Sequence, residues 1–237
     1  MSFSLSDCKF DFSSDKINIF VTVYDESGSM DEYISIMRKA NKAFYDDFSK
    51  FEERGSIAIA KAEFSNWFSM SSFQDVKHFD TSYNTDANTA LYHAICMAAQ
   101  HTIEYYKEIV KRLNVTPRIT FLVFSDGCDN CGGSIGRLGA YDAIKELNSL
   151  DATTVFVAFR EAINNGIGED LGFTCTKDIT TAQELVSCMG SELSKSCKEQ
   201  SKSAYSLKSE FFSKADKNSD EDKVEESPLF EDDFFNV

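Results

Sequence analysis

Asp25, Ser27 and Ser29 stand at alternate positions in the run Tyr24-Asp25-Glu26-Ser27-Gly28-Ser29-Met30. A carboxylate and two hydroxyls at that spacing can converge from an extended or turning segment, and Gly28 lets the backbone bend without a Cβ clash. Small oxygen donors suit Mg²⁺ or Mn²⁺, hard cations that prefer a compact octahedron and keep some water. Two further oxygen-bearing residues occupy comparable places: Thr89 follows a polar loop and opens a helical stripe, and Asp126 follows an apolar run. Alone, Asp-x-Ser-x-Ser would read as a turn or helix cap. Three such segments in one chain point to a metal site built from Asp25, Ser27, Ser29, Thr89 and Asp126.

The elements that must position these residues are legible from apolar periodicity. Ile17, Ile19, Phe20, Val21 and Val23 predict a buried strand that delivers Asp25 to its C-terminal end. Met30, Tyr33, Met37, Ala40, Phe44, Phe48 and Phe51 form a helical stripe that Gly55 stops, and 57–64 reads as a second strand. Residues 68–79 predict a polar-interrupted strand region pairing antiparallel at a sheet edge, with Trp67 at the turn, and 80–88 is a loop by composition. A long helix follows from Thr89 to Leu113, broken at Thr116-Pro117, and then a continuous apolar run at 119–124 ends in Ser125-Asp126-Gly127. Later segments predict a helix over 141–150, a buried strand over 155–159, a short helix over 161–168, a short strand over 173–179 and a closing helix through Leu185, Met189 and Leu193.

Strands alternating with helices imply a three-layer, doubly wound α/β fold: a mostly parallel sheet with helices on both faces. In such a sheet ligands gather at the C-terminal edge, where all three oxygen-bearing segments can meet. The expected organisation is an N-terminal extension over 1–15, one domain over 16–203 and an acidic, disordered tail over 204–237. From residue 205 onward ten acidic residues stand against four lysines, a local net of −6.

The chain has 237 residues, enough for one domain with a sizeable core, and a net charge of −15. That charge argues against a nucleic-acid groove or an anionic-membrane surface, since both need clustered Lys and Arg. No apolar run approaches the length of a membrane span, and residues 1–16 do not resemble a signal peptide. Seven cysteines without framework spacing fit a reducing compartment. A cytoplasmic protein is therefore expected. No GxSxG, HExxH or P-loop pattern is present, so the reading is a binding module and not an enzyme.

The sequence resembles a von Willebrand factor type A domain over roughly residues 16–200. Asp25-Glu26-Ser27-Gly28-Ser29-Met30 is similar to the first segment of that family's metal-ion-dependent adhesion site. Asn88-Thr89-Ala90-Leu91-Tyr92-His93-Ala94-Ile95 is similar to its threonine segment, and 121–130 to its second aspartate segment. The resemblance implies that Ser27, Ser29 and Thr89 contact Mg²⁺ or Mn²⁺ directly, with Asp25 and Asp126 binding directly or through water. It implies one open position that a partner's carboxylate fills. The whole arrangement looks most like the small stand-alone domains of bacteria and their phages, which implies a bacterial host cytoplasm. Two positions depart from the pattern, Asn88 for the more usual glycine and Ser125 for the more usual threonine. Cys128-Asp129-Asn130-Cys131 adds a CxxC pair beside the site.

The expected partner is therefore another protein presenting an acidic residue, with an AAA+ ATPase as one candidate and no direct nucleic-acid or membrane binding. The segment 227–237, with aromatics among acids, superficially resembles the tails by which some single-stranded-DNA-binding proteins recruit basic partners. Two rival readings stand beside this one. A metal-assisted hydrolase would need a general base, for which Glu26 and Asp129 are only neighbours in sequence. A redox or zinc-sensing switch would use Cys128 and Cys131, with Cys96, His93 and His101 completing a zinc site.

Overall fold

The computed structural model describes residues 16–50, 57–86, 88–131, 135–202 and 211–212. The expected N-terminal extension, the expected helix end at 51–55 and the acidic tail beyond 212 lie outside these.

Strand β1 (Asn18–Asp25) lies inside the sheet and is buried along its whole length. Alternation sends Ile19, Val21 and Val23 to one core and Phe20 and Tyr24 to the other. Strands β2 (Ile57–Phe64) and β5 (Arg118–Ser125) flank β1 in parallel. Short β3 (Phe68–Met70) and β4 (Gln74–Asp75) both pair antiparallel with β2. On the other side β6 (Thr153–Phe159) and β7 (Cys175–Ile179) continue in parallel, giving the order β3-β2-β1-β5-β6-β7.

The edge region 68–79 pairs antiparallel with β2 in two short pieces, the interrupted edge that the sequence predicts. Asp75 accepts a 2.8 Å hydrogen bond from Lys77 N–H and caps a 3₁₀ turn at Val76–His78, while Phe73 stacks on Tyr105 with ring centroids 3.8 Å apart. The turn satisfies backbone donors locally, which ends the ladder.

Helices cover both faces. On the Ile19 side lie α2 (Leu91–Leu113) and α3 (Arg137–Ser149). α2 ends where Asn114 adopts a left-handed φ of 55° and donates to Val110 C=O at 3.1 Å. α3 begins at Arg137, ahead of the expected 141; its first turn carries the exposed Leu138 and no apolar stripe, so periodicity does not mark it. On the Phe20 side lies α1 (Ile34–Phe48), entered through a 3₁₀ turn at Gly28–Tyr33.

The single short helix expected over 161–168 is two, α4 (Glu161–Asn165) and α5 (Ile167–Asp170). Between them Gly166 sits at φ 57°, a left-handed break. The closing helix is α6 (Ala182–Ser187), a π turn at Cys188–Leu193 and α7 (Ser194–Lys202). It starts on a reciprocal capping box between Thr181 and Glu184. Apolar packing extends past the expected domain boundary at 203: Phe211 is fully buried in the Phe20-side core and Phe212 packs against that core. Among the described residues no helix is long and apolar enough to cross a membrane.

Candidate metal centre

β1 and β5 run side by side with Tyr24 opposite Phe124, so the residues one step further, Asp25 and Ser125, meet at the C-terminal edge of the sheet. The Ser125 hydroxyl donates to Asp25 Oδ2 at 2.6 Å, and Ser27 N–H donates to Asp25 Oδ1 at 3.0 Å. Ser27 is extended, at φ −71° and ψ 159°. The chain then closes into the 3₁₀ turn, anchored by buried Met30, whose N–H donates to Ser27 C=O at 2.9 Å. This places the Ser27 and Ser29 hydroxyl oxygens 3.0 Å apart. Gly28 opens the 3₁₀ turn without a left-handed φ; the positive-φ glycines among the described residues are Gly127, Gly166 and Gly172.

Thr89 is brought in by two clamps. On one side the loop at 80–88, expected from composition alone, is tied to the first motif. The Tyr83 hydroxyl donates to Asp25 C=O, Asn84 N–H to Glu26 Oε1 at 2.9 Å and Asp86 N–H to Glu26 C=O at 2.6 Å. Arg38 Nε holds Tyr83 C=O at 2.8 Å, and the buried Lys61 ammonium donates to Ser82 C=O. On the other side Thr89 N–H donates to Asn130 Oδ1 at 2.8 Å, while Thr89 C=O accepts from the N–H groups of Asn130 and Cys131, both at 3.0 Å.

Asp126 follows directly from β5. After it Gly127 turns at φ 83°, where a Cβ would lie 2.9 Å from Ala162 Cβ, so a side chain is excluded twice over. Asp25, Ser27, Thr89 and Asp126 are all buried and Ser29 is half-buried. The five residues singled out from the sequence thus come from three segments that share one edge of the sheet and are joined by hydrogen bonds.

The electrostatics of this edge are lopsided. Burial pushes the Asp25 carboxyl up to about 6, although hydrogen bonds from Ser125 and Ser27 oppose the rise, and the nearby Asp126 adds to it. Burial likewise pushes Glu26 up to about 7 against the Asn84 N–H. Tyr83 is raised by burial and then by the charges of Asp25, Glu26 and Asp126. The neighbouring cations pair elsewhere: Lys61 with Glu63, and Arg160 Nε with Glu32 at 2.8 Å. The donor set of two carboxylates and three hydroxyls fits a hard divalent cation, whose charge would relieve the buried Asp25.

Among the described residues no three His, Cys, Asp or Glu side chains converge on one point, which leaves the zinc reading without a ligand set. Cys131 is raised by desolvation and by Asp129, which works against thiolate chemistry.

Four residues at this edge carry no readable signal as site members. Ser125 reads only as a substitute for threonine, Tyr83 and Asn130 only as loop residues. Arg160 lies 131 residues from Ser29, yet its Nη1 donates to Ser29 C=O at 3.0 Å.

No protein-family model matches the sequence, and no curated protein matches it. Solved structures do match in fold. The pilus adhesin SpaC from Lactobacillus rhamnosus GG, in an open conformation, superposes with a TM-score of 0.60 at 9% identity, over 78% of this chain and 30% of the adhesin. A D319A mutant of the PilB minor pilin from Streptococcus sanguinis gives 0.53 at 14% identity, over 78% of this chain and 63% of the pilin. The manganese-loaded TRAP protein of Plasmodium vivax gives 0.51 at 12% identity, over 73% of this chain and 72% of TRAP. The chain thus spans under a third of the adhesin's length. At these identities the likeness is one of architecture. The sheet order, the helix layers and these neighbours together make this a von Willebrand factor type A-like fold.

Proposed function

We propose that the chain is a protein-interaction module that binds one Mg²⁺ or Mn²⁺ through Asp25, Ser27, Ser29, Thr89 and Asp126, and that a partner's carboxylate completes the coordination. The observation that carries this reading is the buried Asp25 carboxyl at the sheet's C-terminal edge, which accepts hydrogen bonds from the Ser125 hydroxyl and the Ser27 N–H. A manganese-loaded neighbour of the same fold supports a divalent ion. Ser and Thr ligands are neutral, so a cation held largely by hydroxyls keeps most of its charge and attracts an incoming carboxylate. The chain's net charge of −15 repels acidic partners at long range, which makes the cation the local source of attraction.

We read the site as one for binding and not for turnover. Glu26, the candidate base, has Oε1 engaged by Asn84 N–H. Burial raises the Asp129 carboxyl, and the backbone N–H groups of Tyr92 and Leu91 oppose the rise. Calorimetry with Mg²⁺ and with Mn²⁺ tests the reading: one site, lost in Asp25→Ala and in Asp126→Ala. Unchanged binding in both variants would overturn it. Affinity capture with and without EDTA then identifies the partner, and an AAA+ ATPase recovered only in Mg²⁺ would make this chain an ATPase adaptor.

A further inference from the structure

Beside the metal centre lies a cavity of about 280 Å³ lined by Tyr33, Arg160, Ile163, Asn164, Ile179 and Thr180. Arg160 joins the two places. Its Nη1 donates to Ser29 C=O at 3.0 Å, its Nε to Glu32 at 2.8 Å, and its guanidinium lies 5.5 Å from the centroid of the Tyr33 ring. Its backbone is held at φ 44° and ψ −113°, a costly conformation for a residue with a side chain. Such outliers persist where the surrounding structure over-determines them, and they cluster at binding sites. Here the turn after β6 aims a cation back across the first motif. Ile163, Ile179 and the Tyr33 ring supply apolar wall, and Arg160 supplies a planar cation, a combination that suits an aromatic ring.

We propose that this cavity receives an aromatic side chain from the chain's own segment Phe230-Glu231-Asp232-Asp233-Phe234-Phe235, while a neighbouring carboxylate of that segment reaches the metal centre. The carboxylate half rests on the function proposed above, and the aromatic half rests on the cavity alone. The segment's pattern, acids bracketed by aromatics, is what a cation next to an aromatic pocket would select.

The chain's exit point agrees. Phe211 is fully buried, and the Phe212 ring centroid lies 5.5 Å from Lys177 Nζ on β7, two residues before the cavity-lining Ile179. Residues 213–229 can extend to about 60 Å, more than the roughly 40 Å breadth of a domain of this size. The segment is thus a tethered competitor, and an external partner displaces it best with an acid flanked by an aromatic.

The test uses a fluorescently labelled peptide of residues 227–237, titrated in Mg²⁺ against the full chain and against the full chain carrying Phe230→Ser, Phe234→Ser and Phe235→Ser. The substituted chain binds the peptide about tenfold more tightly than the native chain, because a tethered competitor has been removed. Adding Arg160→Ala to it weakens peptide binding by about tenfold through loss of the stacked cation. Asn164→Glu, an exposed change that places a carboxylate at the cavity mouth, does the same if Arg160→Ala unfolds. No binding to the substituted chain, equal binding by the two chains, or indifference to both cavity variants overturns the proposal. Repeating the titration in EDTA separates the two readings. Peptide binding that depends on Arg160 in a chain without a calorimetric Mg²⁺ site keeps the pocket and removes the metal. A Mg²⁺ site with peptide binding indifferent to Arg160 does the reverse.

Discussion

The Ser125 hydroxyl donates a 2.6 Å hydrogen bond to Asp25 Oδ2 across one hundred residues of sequence. It also accepts from Gly127 N–H at 3.0 Å, so one side chain orients the buried carboxylate and braces the turn after Asp126. Loss of a group that orients a metal ligand in this way typically costs about 10- to 100-fold in metal affinity. Ser125→Ala is expected to keep the fold and to weaken Mg²⁺ binding by about tenfold or more, read by calorimetry. Full affinity in this variant would mean that Asp25 needs no orienting donor.

Gly127 sits where only glycine fits, at φ 83° and against Ala162. Gly127→Ala forces both a strained backbone and an overlap, and is expected to cost about 2 kcal/mol or more, seen as a lower denaturant midpoint. A midpoint within error of the native chain would contradict the packing of α4 on this turn.

Phe211 lies beyond the expected domain boundary yet is fully buried. Phe211→Ala is expected to destabilise the chain by about 3–5 kcal/mol, the range for a buried phenylalanine. Truncation after Lys202 should do the same. A melting temperature unchanged by either would show that the domain ends before Phe211.

Asp47 on α1 holds the closing helix: Lys198 Nζ lies 2.7 Å from its carboxylate, and the Ser194 hydroxyl also donates to it. Burial alone would raise this carboxyl, but Lys198 and Ser194 outweigh it and hold the pKa below the usual aspartate value. A carboxyl lowered in the folded state stabilises the fold above its unfolded pKa and loses that contribution as pH falls through the folded value. The stability gap between the native chain and Asp47→Asn is therefore widest near neutral pH and closes below about pH 4. Urea midpoints across pH 3–7 check this, and a gap independent of pH would leave the ion pair without a role.

Much of the architecture is readable in the chain itself. The apolar alternation of Ile19, Val21 and Val23 against Phe20 and Tyr24 specifies a strand buried on both faces, and the structure splits those residues between two cores as the period requires. The stripe from Leu91 to Ile109 specifies α2, which ends at the left-handed Asn114, ahead of the expected break at Thr116-Pro117. Asp25, Ser27 and Ser29 are legible as a group because they are local, two residues apart. The antiparallel pairing of the interrupted edge region at 68–79 is legible too, whereas the break of the helix at Gly166 is not, since a left-handed turn there overrides apolar period.

What only the tertiary structure decided is how the site is held. Tyr83 reaches Asp25 C=O across 58 residues, Asn130 clamps Thr89 N–H across 41, and Arg160 crosses 131 to Ser29. Periodicity reports which face of an element is apolar, a property of local chain geometry. Hydrogen bonds between loops depend on the register of β1 against β5 and on where each strand stops, and those are set by the packing of the whole sheet. Asp25, Ser27, Ser29, Thr89 and Asp126 are written in three short segments; the hydrogen bonds that join those segments, and the strained Arg160 beside them, exist only once the sheet has aligned its C-terminal ends.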